Sequence, residues 1–180
     1  MLHTCIAVHP WRCGINLYLS IPLLTGVALI QTVLLSRVAL WGARPDLMML
    51  VVLVWSVVRG VREGLVWGFI GGLIVDVFSG GPLGASTLAL LSVALLAGQP
   101  WARGIGSTVI RLILLALVAV AAYHLVLLII LGWTGYAVGF GRALLRVVAP
   151  SALLNAIMTP FVHRPLYWLE RRTRQERFAL

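Results

Sequence analysis

Asp76 is the only acid set inside an apolar run of this 180-residue chain. A carboxylate in such surroundings needs a partner, because an isolated buried charge is costly and is normally paired. Three roles are open to it: an ion pair, a proton or ion site, or a determinant of partner binding. Arg37 and Arg44 are the basic residues available on its side, with Asp46 beside them at a helix start, so a structural ion pair is the preferred reading. His124 and Asn155 fall near the middles of the fifth and sixth apolar runs. Each could join a transport site, although an interhelical hydrogen bond is the commoner use of such residues.

Other chemistry has little support. HExxH, GxSxG, Walker A and kinase motifs are missing, and no nucleophile–base arrangement is evident. The chain therefore reads as non-catalytic. His3, Cys5, His9 and Cys13 lack a CxxC or HxxxH spacing, so neither a metal nor a cofactor is expected.

A glycine ladder is the clearest pattern. Gly60, Gly64, Gly68 and Gly72 recur every four residues, and Asp76 and Gly80 continue the spacing. Residues four apart share a helix face, so the third run presents a seam almost free of side chains, to which another backbone can approach closely. For a bundle the second backbone is expected within the same chain, although a partner's helix would fit as well. The ladder ends in a tight turn, Ser79-Gly80-Gly81-Pro82-Leu83-Gly84, rich in residues that tolerate unusual dihedrals.

The elements that hold these residues follow from composition. Apolar residues make up 61% of the chain and charged residues 11%, against about 45–50% and about 25% in soluble domains. Together with a mean hydropathy of +1.03, this excludes a soluble domain, disorder and a disulfide scaffold. Six apolar runs can be read: Ile15–Leu35, Leu47–Val58, Leu65–Phe78, Ala85–Leu96, Val109–Trp133 and Ala143–Val162. The expected fold is an all-α integral membrane protein, a six-transmembrane-helix bundle over residues 15–163. A cytoplasmic leader (1–14) precedes it and a basic cytoplasmic tail (164–180) follows. Pro22, Pro150 and Pro160 are expected to kink helices.

All fourteen basic residues are Arg, scattered singly between apolar runs. They set topology and meet lipid headgroups rather than nucleic acid. Ten lie on the side of the two termini (12, 59, 62, 103, 111, 164, 171, 172, 174 and 177) and four opposite (37, 44, 142 and 146), which places both termini in the cytoplasm.

The segment Arg44-Pro45-Asp46-Leu47-Met48-Met49-Leu50, the run ending Asp76-Val77-Phe78-Ser79-Gly80, and then Pro82-Leu83-Gly84 resemble the MreD family. This is the small membrane subunit of the bacterial rod-shape, or elongation, machinery. The likeness is closest over residues 43–98 and returns at Pro150-Ser151-Ala152-Leu153-Leu154-Asn155-Ala156. It implies a non-catalytic scaffold in the inner membrane beside MreC, a single-span periplasmic protein. Through MreC it implies links to the MreB filament, the RodA glycosyltransferase and a class B penicillin-binding transpeptidase. The family is also similar in fold to substrate-binding subunits of energy-coupling vitamin transporters. Such a subunit is the alternative reading, with a small proton-coupled transporter third. A ligand pocket should be lined by polar groups or Trp, yet most of the seven Trp (11, 41, 55, 67, 101, 133 and 168) fall at run ends or in loops, where interfacial anchors belong.

The second and third runs are short, and a re-entrant hairpin would put Arg59, Arg62 and Glu63 deep in lipid at about 2.5–3.5 kcal/mol each. Two spans are favoured. A thiol label on Val61→Cys is accordingly expected to react only from the cytoplasmic side, and outer-face labelling would overturn the topology.

Overall fold

A computed structural model describes residues 17–33, 45–103, 108–134 and 148–175. These form six α-helices, with no strand among the described residues. They are α1 (Leu17–Val33), α2 (Leu47–Arg59), α3 (Val61–Ser79), α4 (Ala85–Ala97), α5 (Thr108–Trp133) and α6 (Ala149–Gln175), with a 3-10 turn at Pro100–Arg103 between α4 and α5. The leader 1–14 and Arg37, Arg44, Arg142 and Arg146 lie outside the described residues.

The short helix α2 is the axis of the bundle. It contacts each of the other five helices, and every residue from Met48 to Val57 is buried. An apolar helix without a polar face is what an all-round burial requires. Its 13 residues rise about 20 Å at about 1.5 Å per residue.

Glycines set how closely the neighbours approach. On α3, Gly64 lies against Ser56 of α2 and Gly71 against Met48, while Gly68 faces Leu90 and Gly72 faces Thr87, both of α4. At the far end Gly98 meets the backbone of Val61. Each step up α3 thus matches a step down α2 and a step down α4, and α3 runs antiparallel to both. The ladder's close approaches are made to helices of this same chain. A Cβ on Gly68 would come within 3.2 Å of the Leu90 carbonyl, and one on Gly72 would collide with the Thr87 backbone.

Helix α3 begins at Val61, one residue after α2 ends, whereas the apolar run starts at Leu65. The whole link is Gly60, whose φ of 96° is one that side chains disfavour. Val61, Arg62 and Glu63 are helical because a charged first turn is compatible with helix, although it carries no apolar signal. Arg59 and Glu63 face each other across the link at 3.8 Å.

At the other end of the chain α6 continues through Pro160 and Pro165 to Gln175, so the tail from Arg164 begins as helix. Trp55 and Trp67 also depart from expectation. They are 5% and 2% exposed and stack at 4.0 Å and 12° between α2 and α3, with Arg59 over the Trp55 ring at 5.5 Å. The neighbouring Gly64 brings the two helices close enough for the rings to meet. Trp133 and Trp168, by contrast, are exposed.

Gly72→Ala is expected to cost about 1–3 kcal/mol of stability as an overpacked core site, and Gly68→Leu more. Gly26, with nothing within 4 Å of an added Cβ, is the control and should tolerate Ala. Thermal unfolding in detergent checks this ranking, and equal melting of all variants would contradict a close-packed seam.

Candidate functional site: a polar layer at two helix starts

The first amides of an α-helix have no partner within it, and in apolar surroundings each must find one elsewhere. Two helices here, α2 and α4, start inside the bundle at the same level. The side chains that satisfy them form one connected layer drawn from all six helices.

At α4 the acceptor is Asp76, from the last turn of α3. Its carboxylate takes hydrogen bonds from the amides of Gly84 (2.9 Å), Ser86 (2.8 Å) and Thr87 (3.2 Å), and from the Thr87 hydroxyl (2.8 Å). A carboxylate offers about four lone-pair sites, and four described donors converge on this one. The field of the helix start also favours the negative charge. Asp76 is 2% exposed, and its described bonds cap the start of α4, three at Oδ2 and one at Oδ1.

The turn makes this reach possible. Gly80, at φ 64°, ends α3 in the left-handed conformation, and Gly84, at φ 95°, starts α4 the same way. Between them the Ala85 amide donates to the Pro82 carbonyl at 3.2 Å, which folds the chain back above Asp76. Gly72, one helical turn below Asp76, lets α3 approach Thr87 closely enough for the carboxylate to reach it.

At α2 three side chains share the task. Asp46, the N-cap, accepts from the Met49 amide at 3.0 Å. Asn155 of α6 accepts from the Asp46 amide at 2.9 Å, and Gln31 of α1 accepts from the Met48 amide at 2.9 Å. Asn155 is fully buried, and its carbonyl accepts from the Thr159 hydroxyl at 2.7 Å. Its side-chain Nδ2 has no partner among the described residues. Tyr123 of α5 lies beside both caps, near the Asp46 and Ser86 side chains.

The residues singled out from sequence are thus placed unevenly. Asp46, Asp76, Gly80, Pro82, Gly84 and Asn155 meet in the layer, and Gly64, Gly68 and Gly72 form the seam that leads to it. Gly60 turns the chain at the opposite end. His124 stands apart, its Nδ1 2.9 Å from the Val120 carbonyl of its own helix and its ring edge-on to Tyr123. Arg37 and Arg44 lie outside the described residues, and the described partners of Asp76 are amides and a hydroxyl. Sequence reasoning placed Ser86 and Thr87 at the opening of the fourth helix and passed over Gln31 and Tyr123. Gln31 is an isolated polar residue within an apolar run, a signal of the same kind as Asn155. Tyr123 carries a phenol beside the histidine that drew attention.

Asp76→Ala strands three amides and a hydroxyl, at about 1–3 kcal/mol for each buried donor left unpaired. A loss of more than about 3 kcal/mol is expected, with Asp76→Asn, which retains one oxygen acceptor, in between. A wild-type melting temperature for Asp76→Ala would show that the capping contributes nothing to stability.

The family described as rod shape-determining protein MreD matches residues 14–171 of the chain. No curated protein and no solved structure matches it.

Proposed function

The chain belongs to the MreD family of rod shape-determining proteins, and on that premise we propose that it is a non-catalytic scaffold of the cell-wall elongation complex. In this reading it sits in the bacterial inner membrane as six spans with both termini cytoplasmic. It binds an MreC-like single-span partner, and through that partner it meets the MreB filament, RodA and a class B penicillin-binding transpeptidase.

The observation that carries the reading is the polar layer. Its carboxylates and amides are committed to holding the bundle's own helices, which suits a rigid body that offers surfaces to other proteins. The helix Ile110–Trp133 is long and apolar enough to cross a membrane. Large apolar side chains cover the outside of the bundle, among them Phe69, Val77 and Leu117. Helices α2 and α4 are shorter than a bilayer core of about 30 Å, and as inner elements largely enclosed by their neighbours they need not match it.

A substrate-binding transporter subunit needs a chamber between its helices. Here α2 fills the axis from Met48 to Val57, and His124 and Asn155 each have separate partners, which weighs against that alternative. Affinity purification from native membranes in mild detergent, with bound proteins identified by mass spectrometry, tests the proposal. An MreC-like protein with a RodA-type synthase is the expected recovery. Paired ATPases with a coupling subunit would replace the scaffold reading with the transporter one.

A further inference from the structure

Between α5 and α6 lies a cavity of about 280 Å3, lined by Leu112, Thr159, Pro160, Phe161, His163 and Arg164. Arg164 is nine residues beyond Asn155 along α6, about 14 Å from the polar layer at about 1.5 Å per residue, and toward the opposite end of the bundle. Accepting the membrane topology proposed above, this is about 6 Å short of the cytoplasmic end of α2, which rises about 20 Å from the same layer, a distance that a long Arg side chain covers by snorkelling toward the headgroups.

The wall is cationic on one side. Arg164 is exposed, and Arg111 of α5 lies close enough to His163 to act on it electrostatically. Below His163 the stack continues, with Tyr167 at 5.6 Å and Arg171 over the Tyr167 ring at 4.8 Å. Among the described residues no acid lines the cavity. The other side is apolar: Phe161, Ile157 and Leu153 follow one another every four residues on one face of α6, and they are 70%, 54% and 62% exposed.

We propose that this cavity binds an anionic phospholipid of the cytoplasmic leaflet, its phosphate at Arg164 and His163 and one acyl chain along Phe161, Ile157 and Leu153. Basic pockets between membrane helices on the cytoplasmic side suit anionic headgroups. A free phosphate would satisfy the cations and leave the apolar strip uncovered, whereas a phospholipid covers both. The volume lies just below the range of small-molecule pockets, about 300–1,000 Å3. It takes a headgroup and the start of a chain, the remainder lying on the helix face.

The test uses the full-length chain, purified in mild detergent, stripped of lipid and read by native mass spectrometry. One phosphatidylglycerol per chain is expected to be retained against excess phosphatidylcholine. Arg164→Gln should weaken that binding about fivefold, in line with about 1 kcal/mol per basic residue at an anionic surface. Arg62→Gln, an exposed charge on α3 outside the cavity, should leave it unchanged. Equal binding of the two lipids, an equal loss in both variants, or displacement of the lipid by millimolar inorganic phosphate would overturn the proposal. The readout is lipid on purified protein, so its failure is distinguishable from a failure to recover an MreC-like partner from membranes.

Discussion

The unpaired amides at the start of a helix have to be hydrogen-bonded wherever that helix begins, and in this protein two helices begin where there is little water to do it. Much of the remaining architecture can be read as the means of bringing acceptors to those amides. Asp76 can cap α4 only if α3 lies against Thr87, and α3 lies there only because Gly72 has no side chain. The glycine turns at Gly80 and Gly84 then aim the α4 amides back at the carboxylate. Around α2, Gln31 and Asn155 fix where α1 and α6 meet the central helix.

The two ends of the bundle are held by different physics. One end is a network of directional hydrogen bonds with every helix contributing. The other is held by shape: Gly98 on the Val61 backbone, the one-residue link at Gly60, and the stacked rings of Trp55 and Trp67 beneath Arg59. Aromatic stacking and backbone contact tolerate small sliding, whereas a carboxylate holding four directional hydrogen bonds does not. The polar end therefore fixes register, and the aromatic end supplies buried area.

Much of this was legible in the sequence because the signals were local. Apolar runs located the first five helices to within a few residues, although α6 continues thirteen residues beyond Val162; the four-residue spacing of Gly64, Gly68 and Gly72 located the seam, and the turn from Ser79 to Gly84 announced an abrupt reversal. Reading an isolated acid as an ion-pair candidate rested on the general rule that charges seek charges. The described geometry gives Asp76 the amides of residues 84, 86 and 87, an option visible only once α3 and α4 are known to lie side by side, while Arg37 and Arg44 lie outside the described residues. Gln31 and Tyr123 were illegible for a similar reason. Each acts on another helix, Gln31 on the next one in the chain, and nothing in its immediate neighbours marks that contact. The burial of Trp55 and Trp67 likewise depends on a pairing across two helices that position alone does not reveal.

The two caps also differ in when they can close as the chain leaves the ribosome. Asp76 and its donors are eight to eleven residues apart, so α3, the turn and α4 can form as one hairpin whose charge already has its hydrogen bonds. The bond from the Asp46 amide to Asn155 spans 109 residues and waits for the last helix. Until α6 arrives, the central helix retains an open amide at its start. A chain lacking α6 would leave that amide without its described acceptor, at about 1–3 kcal/mol for a buried donor left unpaired.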